Sequence, residues 1–184
     1  AEKYSADLFR LYVAGAANLD TVLDWREKDV ATTLESLRRF VALAEHAVEA
    51  KCAETPMNAE IDKWLFSRFN KLVAEATESL EKMEVRDYVQ KAFYQVLAAV
   101  EHYRERAGEE KAVCAVKAIL DKWIKLLNPV IPHVTEEVGE WLGYTKPVSA
   151  SAWPEPDYAA VDEEVEVLEN AVVELVKDVK NVLN

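Results

Sequence analysis

The sequence predicts an all-α protein, an antiparallel helix bundle, on three observations. Glycine is scarce, with 4 in 184 residues, while Ala, Glu, Lys, Leu and Val are abundant, a composition that favours helix over turn-rich β structure. Apolar residues recur at three- and four-residue steps through most of the chain. The connections between these stretches are short, which sets successive helices side by side and antiparallel. A chain of this length can bury a substantial single core.

A first helix is expected over residues 4–17, with Leu8, Leu11 and Tyr12 or Gly15 on one face, followed by a connector to Asp24. Asp29 is a candidate N-cap for a long second helix to about Cys52, with Leu34, Leu37, Val41 and Val48 toward the core. Thr55-Pro56 breaks the chain. Asn58 is a good N-cap for a third helix ending near Met83, and Glu60 complements the positive end of its dipole. Its stripe is Ile61, Leu65, Phe69, Leu72, Val73 and Leu80. A fourth helix spans Arg86 to Ala107 with Val89, Phe93, Val96, Leu97, Val100 and Tyr103 inward, and Gly108 ends it. A fifth runs from Glu109 to Asn128 with Val116, Ile119, Leu120, Trp123 and Leu127 inward.

Then comes a sharp corner. Pro129 lacks an amide donor and restricts the residue before it, so the fifth helix must stop. Pro132 suits the first turn of a new helix, Glu136 and Glu137 lie near its positive end, and Gly143 is a C-terminal stop. Residues 144–160, with Pro147, Pro154 and Pro156, read as an irregular strap that Trp153 pins to the bundle. From Asp162 a last helical pattern carries Val165, Leu168, Val172, Leu175, Val179 and Leu183. The expected organisation is therefore a helix and connector over 1–28, a helical bundle over 29–143, the strap over 144–160, and the start of a C-terminal helix or module over 161–184. The chain begins without Met and ends inside an amphipathic pattern, so a piece cut from a longer polypeptide is expected.

Several chemistries fail on spacing. There is no Walker A loop, no G-x-G-x-x-G, no H-E-x-x-H and no G-x-S-x-G. A di-iron bundle needs Glu-x-x-His twice, yet the residues three before His46, His102 and His133 are Leu43, Ala99 and Val130. Cys52 and Cys114 form no C-x-x-C pair and read as small helical residues in a reduced, intracellular compartment. No apolar run reaches the ~20 residues that span a bilayer, and no secretory signal precedes the helices. His133 reads as an imidazole bonded across the helix–helix corner rather than as an RNA contact. Asp7 and Arg10, three apart on one helix, form a local pair.

The net charge of −12, from 34 acidic against 22 basic residues, argues against a general nucleic-acid binder, whose footprint is a basic patch. The candidate cations are few. In Trp25-Arg26-Glu27-Lys28 the indole can fix a loop whose Arg26 and Lys28 meet a phosphate backbone; equally, Trp25 can be a core anchor with solvated cations beside it. Arg38 and Arg39 form a second basic pair. Arg68 and Lys71 share a helical face with Trp64, which would offer a stacking surface.

Two strings carry a resemblance. The stretch Leu126-Leu127-Asn128-Pro129-Val130-Ile131-Pro132-His133-Val134-Thr135-Glu136-Glu137, running on to Trp141-Leu142-Gly143, resembles a signature of the anticodon-binding helical domain of class I aminoacyl-tRNA synthetases in the leucine, isoleucine and valine group. Tyr4-Ser5-Ala6-Asp7-Leu8-Phe9-Arg10-Leu11-Tyr12 is similar to the helix that follows the KMSKS loop of those enzymes, and Ala152-Trp153-Pro154-Glu155 fits the same group. Asp24-Trp25-Arg26-Glu27-Lys28 looks like the archaeal and eukaryotic type of leucyl-tRNA synthetase.

The HIGH and KMSKS motifs and any editing domain are absent. The resemblance therefore implies a tRNA-docking fragment with no catalytic residue, cofactor or metal of its own. It implies a cytoplasmic parent that joins leucine to tRNA with ATP and Mg²⁺. The implied partners are tRNA, leucine tRNA above all, and the catalytic and C-terminal domains of the same parent chain, with no membrane. Two alternatives stay open: the same domain of a valyl or isoleucyl enzyme, and a helical protein-interaction scaffold that binds no RNA.

Overall fold

The computed structural model describes residues 4–16, 23–52 and 59–183, with side chains to residue 179. The expected break at Thr55-Pro56, the Asn58 cap, most of the 18–24 connector and the Leu183 side chain lie outside the described residues. The elements are α1 (Ala6–Ala16), α2 (Glu27–Glu49), α3 (Glu60–Glu81), α4 (Val85–Val89), a π-helical segment (Gln90–Gln95), α5 (Val96–Ala107), α6 (Glu109–Leu127), α7 (Pro132–Trp141) and α8 (Glu163–Leu183). Two short 3₁₀ turns, Val148–Ala150 and Tyr158–Ala160, lie between α7 and α8. No strand occurs among the described residues, and the all-α bundle stands.

α1 starts at a Ser cap: the Ser5 hydroxyl accepts the Leu8 amide at 3.2 Å. α2 begins three residues earlier than expected, at Glu27 with Arg26 as N-cap, so Asp29 lies in its first turn and is not its cap. Its buried line is Val30, Leu37, Phe40, Ala44 and Ala47, while Leu34, Val41 and Val48 are only partly buried. The expected face was turned because the small alanines, which let neighbours approach closely, carry little weight in an apolar count. In α3 the Asp62 carboxylate reaches back to the Ala59 amide at 2.9 Å, the returning half of a capping box.

α4, the π segment and α5 run on as one helix. The buried residues Tyr88, Ala92, Val96 and Val100 step by four, as do Val89, Phe93 and Leu97. On an ideal α-helix each such step drifts about 40° around the axis. The wider π turn takes up that drift and keeps both lines on one face. Within it the Ala92 carbonyl accepts the buried Trp123 indole N–H at 2.9 Å. Trp123 also meets Phe40 edge to face at 4.8 Å between centroids.

The corner forms as the prolines require. Asn128 donates to the Thr135 hydroxyl at 2.9 Å, and Pro132 opens α7. Gly143, at φ 84°, supplies the left-handed turn that ends it, with the Tyr144 amide returning to the Gly139 carbonyl. A Cβ on Gly139 would lie 2.5 Å from a Val148 methyl, so the strap fits only over glycine there. Glu136 holds the strap by accepting the Val148 amide at 2.6 Å and the Ser149 amide at 3.0 Å. Burial alone would raise its carboxyl; those amides outweigh burial and keep it below the usual glutamate range. Trp153 does pin the strap, donating to the Thr77 hydroxyl at 2.9 Å.

The N-terminal helix is locked to this corner. Asp7 is buried, and its carboxylate accepts the Val134 amide at 2.8 Å, His133 Nδ1–H at 2.8 Å and Arg10 at 3.1 Å. Asp7 thus caps α7 from another helix, and the partner of His133 lies on α1, not across the α6–α7 corner. Replacing Asp7 by alanine removes a cap and the partner of both Arg10 and His133. We expect a loss of about 2 kcal/mol, the upper end for a lost cap, read as a lower midpoint in urea unfolding.

The cysteines require a correction. Cys52 and Cys114 form a disulfide across a sequence separation of 62, with Cα atoms 5.7 Å apart. The fold sets the end of α2 beside the start of α6, and spacing in the sequence does not reveal it. The compartment argument that rested on isolated cysteines falls with it. Beside the bond, Lys117 donates to the Ala50 carbonyl at 2.6 Å, closing the end of α2. A loop of that length restricts the unfolded chain by about 4 kcal/mol. Replacing Cys114 by serine should therefore lower the thermal midpoint, and a reductant should lower that of the parent chain but not that of the variant.

Candidate nucleic-acid interface

The loop before α2 is held by aromatics of α1. The Tyr12 hydroxyl donates to the Asp24 carbonyl at 2.9 Å and accepts the Arg26 amide at 3.3 Å. Trp25 meets Tyr12 edge-on at 5.0 Å and stacks on Phe9 at 5.8 Å. The indole is 38% exposed, so it anchors the loop on α1 rather than in the main core. Arg26 pairs with Asp24 at 2.8 Å, both side chains about two-thirds exposed. An ion pair that open contributes little and is readily exchanged for a phosphate. Lys28 is exposed and has no carboxylate within ion-pair distance among the described residues. The loop thus presents two cations on a fixed backbone at the start of a helix. Beside it lies an apolar concavity of about 660 Å³ lined by Tyr4, Ser5, Phe9, Arg10 and Trp25, and Arg10 is already committed to Asp7.

The other candidates do not join this loop in one patch. Arg38 and Arg39 stand about 15 Å further along α2 at the helical rise, paired with Glu35 at 2.9 Å and Glu101 at 3.6 Å. Trp64 is buried, 8% exposed, with its ring edge-on to His102 at 4.9 Å. It therefore offers no face to a base, and the shared face expected for Trp64, Arg68 and Lys71 divides three ways. Lys71 turns to Glu166 of α8 at 3.2 Å. Arg68 reaches across to the Gln95 side-chain carbonyl at 2.8 Å and pairs with no carboxylate among the described residues. Lys91, which the sequence reading passed over, lies in the same π segment as Gln95 and donates to the Ser79 hydroxyl at 2.7 Å. Its signal was the Ser79–Lys91 approach, which needs the α3–π segment packing to be seen. Among the described residues no three His, Cys, Asp or Glu side chains converge as a metal ion would require. None of the described helices is long and apolar enough to cross a membrane.

Comparison with known proteins gives this geometry a family. Residues 62–184 match the family described as the anticodon-binding domain of tRNA ligase. A leucine–tRNA ligase of Staphylothermus marinus is 58% identical over 184 residues, all of this chain and 19% of that protein. A leucine–tRNA ligase of Pyrococcus abyssi is 35% identical over 185 residues, covering 99% of this chain and 19% of that protein. The chain thus spans about a fifth of the length of these relatives. Among solved structures, the leucyl synthetase of Agrobacterium radiobacter K84, in a ternary complex with tRNA and LeuAMS, superposes with a TM-score of 0.68. At 18% identity, over 88% of this chain and 21% of that one, it shares the fold. On the match over residues 62–184, the chain belongs to the anticodon-binding domain family of tRNA ligases.

Proposed function

We propose that this chain is the tRNA-docking helical domain of a leucine–tRNA ligase and takes no part in the chemical steps. The observation that supports it most is the 58% identity to a leucine–tRNA ligase, sustained over all 184 residues. The parent enzyme joins leucine to its tRNA in the cytoplasm with ATP and Mg²⁺ bound elsewhere, and it carries this domain between its catalytic and C-terminal parts. Arg26 and Lys28 meet the tRNA backbone, supported by Arg68 of α3 and Lys91 of the π segment. Most other cations are spent on neighbouring carboxylates, and the acidic surface repels phosphate. Docking is therefore weak in the isolated chain and strongly salt-sensitive.

Each phosphate neutralised contributes about −0.9 to the slope of log affinity against log salt on duplex. We expect the double variant Arg26→Ala/Lys28→Ala to flatten that slope by about 2 in a tRNA titration and to weaken binding. An unchanged slope makes this loop structural.

The domain does not read the anticodon as its main identity signal. Leucine has six codons in two families, so a pocket with fixed donors and acceptors would have to accept different bases. A good bidentate base contact discriminates by about 1–3 kcal/mol on duplex DNA, and a site that tolerates several bases forfeits that gain. Leucylation by the parent enzyme should stay near normal when anticodon bases of its tRNA are changed. A loss of several orders of magnitude would favour a valyl or isoleucyl type of reader.

A further inference from the structure

The C-terminal helix is anchored at one end only. Val165 is buried against α3, and Glu166 accepts from the Ser67 hydroxyl at 2.6 Å and pairs with Lys71 at 3.2 Å. Glu169, buried, holds His102 at 2.7 Å and Arg106 at 3.0 Å. All these ties lie in the first two turns of α8. By Glu169 the helix has reached the end of the bundle where α5 closes and α3 begins. Its next turns then expose aliphatic side chains: Val173 is 41% exposed, Leu175 64%, Val176 46% and Val179 50%, joining Leu168, one residue before Glu169, at 55%. A groove of about 390 Å³ runs beside them, between Val172, Val173 and Val176 of α8 and His102 and Arg106 of α5.

The shape of this face tells what covers it. At 100° per residue, Leu175, Leu168, Val179, Val172, Val176 and Val173 fill an arc of about 160°, with buried Val165 near its middle. A two-stranded coiled coil uses a narrower seam of two positions per heptad, so this arc fits a helix set into a bundle, covered on both flanks. Five half-exposed aliphatic side chains also cover well under the ~800 Å² per partner of a stable free interface. A tethered neighbour needs less area, because the linker supplies its effective concentration. The relatives are about five times as long as this chain, so such a neighbour is at hand. Nucleic acid is a poor occupant, since the face is aliphatic, Glu105 lies in the groove, and the groove's Arg106 and Lys177 are already paired with Glu169 and Glu174.

We infer that the second half of α8, with the α5 groove, is the docking face for a helical layer of the same parent polypeptide, outside these 184 residues. This rests on the reading of the chain as one domain of a longer ligase and does not depend on which cations meet tRNA.

The test is amide hydrogen exchange over residues 168–179, without RNA, in this chain and in the full parent polypeptide. Exchange at least 100-fold slower in the parent is expected; equal exchange in both overturns the proposal. In parallel, Leu175→Glu/Val179→Glu should lower the thermal midpoint of the parent and leave that of the 184-residue chain in place. A parent that is unaffected, or a short chain destabilised as much, overturns it. Sedimentation should find the short chain monomeric. A dimer dissolved by the same substitutions would make a second copy the occupant and overturn the proposal, as would protection that appears only once tRNA is added. Because the exchange arms contain no RNA, loss of tRNA docking in the salt titration would leave their outcome untouched.

Discussion

A buried indole must place its N–H on an acceptor, and the arrangement of the core follows from where Trp123 finds one. The side chain is fully buried and shut off from water. Carbonyls inside a regular helix are committed to the turn above them. The chain departs from that ladder at Gln90–Gln95, and it is Ala92, within that segment, that accepts the indole. One turn along α6, the Leu126 carbonyl accepts the Tyr88 hydroxyl, also in the dry interior. These two bonds fix the register of α6 against the α4–α5 helix. Phe40, edge-on to both Trp123 and Phe93, carries the same register to α2. Hydrophobic burial alone would tolerate a slide of one helix along another; two satisfied polar groups in a dry core do not.

The acidic character of the chain is only partly a property of its surface. Asp7, Asp62 and Glu169 are each buried and each tie separate elements together. Asp62 caps its own helix and also accepts the Tyr103 hydroxyl at 2.6 Å, and burial together with that carboxylate holds the phenol well above its ordinary range. Carboxylates thus do in this bundle what backbone caps do in others. They take up amides and cations that would be stranded at helix ends and crossings. The cost falls on nucleic-acid contact, because Arg10 and Arg106 are committed to Asp7 and Glu169, and Arg39 and Lys71 to Glu101 and Glu166.

What could be read in the sequence was local. Pro132 at a helix start, Gly143 at a helix end and the stripes of α3 and α6 depend on neighbours within a turn or two, and each is where the pattern puts it. Trp153 was legible for another reason: a large aromatic among prolines has little to hold except the bundle. The π segment left a trace in the four-residue spacing of Val89, Phe93 and Leu97, a period too long for an ideal α-helix, yet a count that accepts threes and fours equally passes over it. Asp7 and Val134, or Cys52 and Cys114, meet only because the bundle closes, and no local spacing encodes that. The site divides the same way. The Trp25 loop was visible as an aromatic among cations, whereas the ring contact of buried Trp64 with His102 of α5 and the capture of Lys71 by α8, nearly a hundred residues away, depend on how the bundle packs.

The disulfide has a topological side. Together with the backbone between them, Cys52 and Cys114 make a covalent ring that contains all of α3, α4 and α5. The two parts that leave the ring are the polypeptide before Cys52 and the polypeptide after Cys114. They remain one molecule through the sulfur bridge even if the ring is cut at any peptide bond within it. Tension applied along the chain, as when flanking domains of a large enzyme move apart, passes directly from α2 to α6 and bypasses α3–α5. The ring thus shields the helices that carry Arg68 and Lys91 from the pull of their neighbours.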